Sequence, residues 1–104
     1  MIDWARIEEL RFEIGEDGVG EVVEIFLEEV EETLTDLGSA QTDEDRAARL
    51  HFLKGSALNL GLNALAALCE ATPPGMPMPS TDEVLACYAA SKTALLAGLG
   101  RHAA

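Results

Sequence analysis

Between Gly18 and Gly38 the residues Val19, Val22, Val23, Phe26, Val30, Leu34 and Leu37 recur mostly in steps of three and four, with Glu21, Glu24, Glu28, Glu29, Glu31 and Glu32 on the other side. That spacing is the period of an α-helix. A long helix with one apolar stripe is stable only when other elements cover the stripe. Nothing elsewhere in the chain alternates with period two over a useful length, so the covering elements must be helices too. The composition agrees: apolar residues make up 48% and aromatics only 5%, with Ala and Leu dominant, which favours packed helices over a sheet. At 104 residues the chain has room for one domain, residues 1–104, with one modest core.

The remaining segments fall into place around that helix. Residues 3–11 read as a short helix capped by Asp3, with Trp4, Ile7 and Leu10 or Phe12 on its apolar side, and Gly15-Glu16-Asp17-Gly18 breaks it. After Gly38, Thr42 or Asp43 caps a third helix that places Asp43, Glu44 and Asp45 in its first turn and stops at Gly61. In that helix Arg46 and Arg49 lie near the core-facing edge, placed to snorkel or to pair with the Glu-rich helix. Residues 62–72 make a further helix with Leu62, Leu65, Ala66 and Leu68 inward, ended by Pro73-Pro74. The run from Pro73 to Pro79 is a rigid connector. Ser80, Thr81 or Asp82 caps the last helix, with Val84, Leu85, Tyr88, Ser91, Leu95 and Leu99 inward and a fraying end from Gly98 through Gly100 to Ala104. Four amphipathic helices on short connections predict an all-α fold, an antiparallel up-and-down four-helix bundle.

The formal net charge of −12 is uneven. Residues 1–45 carry 16 of the 19 acidic side chains against Arg6 and Arg11, a balance of −14, whereas residues 46–104 balance at +2. No basic stripe exists to neutralise phosphates, so nucleic acid is excluded as a partner. No segment reaches the ~18 apolar residues of a membrane span. The N-terminus lacks a signal-peptide pattern, and a cytoplasmic protein is expected. Cys69 and Cys87 lie in apolar helical contexts without a Cys-x-x-Cys spacing and read as packing residues.

The third helix carries the chemistry. At about 100° per residue, Leu50, Leu53, Ala57 and Leu60 share the core side. His51, Lys54, Gly55 and Leu58 fall opposite, one turn after Ala47 and Ala48. A histidine therefore lies on the solvent face with a lysine one turn on and mostly small side chains around it. Such a histidine is open to a reactive group on another protein, and Lys54 places a positive charge beside whatever anion it receives. Neutral imidazole is a good nucleophile near neutral pH. Gly55 costs the helix about 1 kcal/mol against alanine, a sensible expense where a side chain would block an approaching partner.

The run His51-Phe52-Leu53-Lys54-Gly55-Ser56-Ala57-Leu58-Asn59-Leu60-Gly61 resembles the signature of the histidine-containing phosphotransfer (HPt) domain, roughly H-x-L-K-G-[SA]-[SA]-x-x-[LIF]-G. The Ile2-Asp3 start, the Glu-rich helix and the segment Leu65 to Glu70 resemble the family layout as well. The resemblance implies that the short N-terminal helix is a lid on one end of the four-helix core, and that the protein is a phosphorelay intermediate. Nε2 of His51 would accept a phosphoryl group from a receiver-domain aspartate or a sensor histidine kinase and pass it to a response regulator, with Lys54 stabilising the phosphate. Ala47, Ala48, Gly55 and Leu58 would form the docking rim for receiver domains. No metal or other cofactor is expected on this chain; Mg2+ would belong to the receiver. The chain would be a carrier rather than a kinase, and a monomer.

Each residue also has an ordinary explanation: a surface histidine is commonly incidental, Lys54 is unremarkable, Gly55 would serve a close helix contact, and Gly61 is a helix stop. The alternatives are a helical adaptor that works without phosphorylation, in which His51 is dispensable, and the phosphoacceptor domain of a larger chemotaxis-type kinase. A metal-binding bundle is disfavoured by two distant histidines and no inward Glu-x-x-His pair. In some HPt relatives a glutamine after the motif steadies the imidazole; none follows Gly61 here, which leaves water or Glu70 for that task.

Overall fold

The structure, a computed structural model, describes residues 1–70 and 77–102, with side chains assigned through Leu99. Five helices follow one another: α1 (Trp4–Ile14), α2 (Glu16–Gly38), α3 (Asp43–Asn59), α4 (Asn63–Leu68) and α5 (Thr81–His102). Among the described residues the β content is one isolated bridge, Ile2 to Leu62. The fold is an all-α bundle with extents of 45 × 21 × 21 Å, its long axis set by α2, which at 23 residues spans about 35 Å. α2 packs on α3 and α5, α3 on α4, and α4 on α5; α1 packs against α2.

Local chemistry sets the helix ends. The Asp3 carboxylate accepts from the Arg6 N–H at 3.2 Å, and the Thr42 hydroxyl from the Asp45 N–H at 3.0 Å. The Ser80 hydroxyl accepts from the Glu83 N–H while Glu83 reaches back to the Ser80 N–H, a reciprocal cap. At the end of α3, Gly61 has φ +77°. The Leu62 N–H bonds to the Ala57 carbonyl and the Gly61 N–H to that of Leu58, a Schellman stop sealed by the buried pair Leu62 and Ala57. The break before α2 is narrower than the expected four residues: Gly15 alone, at φ +92°, turns the chain, and Glu16 and Asp17 already sit in the first turn of α2, where the helix dipole favours their charge.

The core is lined by Ile7 and Leu10 of α1; Val19, Val23, Leu27, Val30, Leu34 and Leu37 of α2; and Leu50, Leu53, Ala57 and Leu60 of α3 and its cap. Leu62, Leu65, Ala66 and Cys69 and, from α5, Val84, Tyr88 and Leu95 complete it. Three expectations need correction. On α2 the stripe steps through Leu27; Val22 and Phe26 are only half-buried. On α5 it runs Val84, Tyr88, Ser91, Leu95, leaving Leu85 43% exposed. And α4 ends at Leu68, capped at Cys69, well before Pro73, so the prolines are not its stop. The Pro73–Met76 part of the connector lies outside the described residues, as does the tail at 103–104.

The largest difference concerns the end of α5. The helix continues through Gly98 and Gly100 to His102 rather than fraying at Gly98. The reason is Trp4. A Cβ on Gly98 would lie 2.1 Å from the ring atoms Cη2 and Cζ2 of Trp4, so the indole of α1 rests on the bare backbone of α5. Gly98 is buried beneath it.

Candidate functional site

α3 presents its core stripe to α2 and α4, and so turns His51 outward. His51, Gly55, Ala47 and Ala48 are all exposed. Among the described residues nothing hydrogen-bonds the imidazole. Lys54 and Leu58 lie on the flank toward α4, with Leu58 48% exposed. Lys54 Nζ stands 3.5 Å from Glu70 Oε1 just past α4. The pair is long and solvated, a geometry generally worth about 0–1 kcal/mol, so Lys54 is tethered lightly on the side of α3 where it projects. Glu70 therefore meets the lysine, not the imidazole that it was considered for.

On the flank toward α2, His51, Phe52, Gly55, Ser56 and Asn59 line a shallow groove with Glu29 of α2 as its far wall. α2 and α3 run antiparallel here, as the Asp36–Arg49 ion pair at 3.9 Å nearer the loop shows. Arg49 also holds Asp45 at 3.1 Å, and the Asp45 carboxylate, ahead of Asp36, pushes the guanidinium pKa up. Arg46 departs from expectation: it donates to the Thr81 hydroxyl and the Pro79 carbonyl, clamping the start of α5 instead of pairing with α2. Both arginines thus keep their charge away from His51.

Two features of this face were not assigned from sequence. Phe52 is 59% exposed beside His51; on the helical wheel it lies about 120° from the middle of the core stripe, a large aromatic with no inward place, which was the signal available. Glu29 comes from another helix and carried no local signal.

Gly55 separates the two explanations offered for it. Among the described residues a Cβ built there meets nothing within 4 Å, so none of the described helices packs against it. By contrast Gly61 is required by the fold: besides its positive φ, a Cβ there would approach the Asp3 carbonyl to 2.9 Å. Among the described residues no group of three or more His, Cys, Asp or Glu side chains is placed to hold a metal ion, and no helix is long and apolar enough to cross a membrane.

A family model for the Hpt domain matches residues 21–73, half of the chain. The chain belongs to the Hpt family. The Hpt match starts inside α2 and takes in α3 and α4 with His51, Lys54, Gly55 and Gly61, leaving α1 and α5 outside it. Among curated proteins the chain is similar to the phosphorelay intermediate protein YPD1 of Candida albicans (strain SC5314 / ATCC MYA-2876), 35% identical over 75 residues, 67% of this chain and 41% of that protein. The chain therefore covers well under two thirds of the length of that relative. No solved structure matches it.

Proposed function

We propose that the protein is a phosphorelay intermediate whose His51 carries the phosphoryl group between a sensor kinase or receiver aspartate and a response regulator. The observation that carries this reading is the outward face of α3: an exposed imidazole, a lysine one turn on, and a mid-helix glycine with none of the described residues above it. Membership of the Hpt family and the similarity to a phosphorelay intermediate support it.

In the transfer, Nε2 of neutral His51 attacks the phosphorus of an aspartyl phosphate. The N–P bond forms as the P–O bond to the aspartyl carboxylate breaks, and the carboxylate leaves with that electron pair. The proton on Nδ1 stays, so the phosphorylated ring carries a positive charge that makes it a good leaving group for the return reaction. Lys54 exchanges its long contact with Glu70 for the phosphoryl oxygens, a charge-assisted contact. The partner approaches over Gly55, and Ala47, Ala48 and Leu58, with Phe52 on the α2 side, give it an apolar rim. Mg2+ belongs to the receiver domain. The chain carries the group without making it: the kinase activity resides in the partner.

The test is phosphotransfer. The protein is incubated with a labelled phospho-receiver from its own organism, beside His51→Gln. Label on the wild type that survives alkali, is lost in acid and is missing from the variant is the expected result. A fully folded protein that takes no label from any receiver or kinase offered would rule the reading out in favour of a phosphorylation-independent adaptor.

A further inference from the structure

The side of α2 that faces away from His51 carries a second surface. At about 100° per residue, Glu31 and Thr35 lie roughly 200° and 240° round the helix from Glu29, which puts them against α5 instead of α3. There an open groove of about 380 Å³ runs between the two helices, lined by Leu34, Thr35 and Gly38 of α2 and Thr81, Leu85 and Tyr88 of α5. Its floor is apolar, and Leu85 reaches it while 43% exposed. Glu31 closes one end, accepting from the Tyr88 hydroxyl and from Lys92 Nζ at 2.9 Å. The tyrosine bond, then the lysine bond, hold the Glu31 carboxyl below its ordinary pKa, and Lys92 balances its charge. Past Glu31 the groove opens onto a shallow acidic depression formed by Glu28, Glu31, Glu32 and Thr35, one stripe at i, i+3, i+4 and i+7.

We propose that this α2–α5 groove is a docking site for a cationic amphipathic helix of a partner protein, separate from the phosphoacceptor face. The apolar floor between two helices is the shape that receives the i, i+3, i+4, i+7 anchors of a third helix. Charge selects the occupant. Residues 1–45 balance at −14 and the whole chain at −12, so a second copy, an anionic lipid surface and nucleic acid are all repelled. Leucines of such a helix would meet Leu34 and Leu85, and lysines or arginines on its flank would meet Glu28 and Glu32 in the depression that shares Glu31 and Thr35 with the groove. Glu28 and Glu32 are exposed and appear in no ion pair among the described residues. The carrier would thereby be held to one component of its pathway while His51 remains open to another.

The test uses the full chain and a fluorescein-labelled helix of about four turns, leucines at i, i+4, i+7 and i+11 with lysines elsewhere, read by anisotropy. Leu85→Ser and the pair Glu28→Gln/Glu32→Gln are each expected to weaken binding about tenfold, with about twofold or less for Glu13→Gln/Glu44→Gln, which removes the same charge elsewhere. Leu85→Ser leaves the charge unchanged, so its effect separates the groove from general attraction to an acidic protein. Amide shift mapping on the wild type provides a readout that needs no variant, with changes expected at Leu34, Gly38, Thr81 and Leu85. Absence of binding, an equal loss in the control pair, an unchanged Leu85→Ser, or shifts centred on His51 would each overturn the proposal. None of these outcomes bears on phosphotransfer, since His51→Gln is expected to bind the peptide like wild type.

Discussion

Gly55 and Gly98 are both glycines inside α-helices, and they are there for opposite reasons. Gly98 of α5 is buried under the Trp4 indole, and a single added carbon would lie 2.1 Å from the ring. Gly55 of α3 has open space above it. The first holds the frame of α1 and α5 together, outside the segment that matches the Hpt family; the second lies at the heart of that segment. A helix that accepts a propensity cost to admit its own chain is being assembled. One that accepts it with no such contact leaves open space on the helix surface.

The sharpest way to break that comparison is to fill both positions. His51→Gln sets the scale, with complete loss of transfer on an intact fold. Gly98→Val forces the indole off α5 and is expected to cost about 2–3 kcal/mol, a drop in Tm on the order of 10 °C. Trp4 is the only tryptophan, so its fluorescence should shift red in the same variant; an unmoved spectrum would show that the indole is not seated on Gly98. Gly55→Leu should leave Tm nearly unchanged while the rate of phosphotransfer falls by roughly tenfold to a hundredfold, the scale expected of a misplaced donor. Gly55→Ala should raise stability by about 0.5–1 kcal/mol in a denaturant titration. If instead it destabilises, the space above Gly55 is not free.

These two glycines also mark where the sequence could be read and where it could not. The outward position of His51, the inward run Leu50, Leu53, Ala57 and Leu60, and the stop at Gly61 follow from angle and propensity within one helix, and all were legible. Gly98 was not, because its reason sits at the other end of the chain in Trp4; read locally, a glycine between Ala97 and Leu99 near a terminus suggests fraying. Leu85 was placed inward because neighbours at i and i+1 compete for one stripe, and only the position of α2 decided for Val84. Glu29, Glu70 and the Glu31–Tyr88–Lys92 cluster are contacts between helices far apart in sequence, which periodicity does not report. For Arg46 the sequence offered snorkelling or pairing with the acidic helix, whereas its partners are the Thr81 hydroxyl and the Pro79 carbonyl at the start of α5.

The smallest expected effect lies in the seam between α2 and the frame. Burial first, then the bond to Glu31, push the Tyr88 phenol well above its ordinary pKa. A raised folded value means stability is full below the ordinary tyrosine pKa of about 10 and is lost as pH climbs from there toward the folded value. Burial likewise pushes the Cys69 thiol up to about 11, with Cys87 adding to it, so its share is lost over an overlapping window starting near the ordinary thiol value. Tyr88→Phe should flatten the alkaline loss of Tm without abolishing it. Tyr88 is the only tyrosine, so tyrosinate absorbance follows it alone, and titration at an ordinary value would mean the phenol is not held by the seam.

The first three residues have a mechanical meaning. The Asp3 N–H bonds to the Gly61 carbonyl at 2.7 Å, the Asn63 N–H bonds to the Met1 carbonyl at 3.0 Å, and Ile2 pairs with Leu62. The start of the chain is thus latched onto the turn that closes α3, the helix that carries His51. A load applied at Met1 would pass first into the start of α4 at Asn63 and then, through Asp3, into the Gly61 turn at the end of α3.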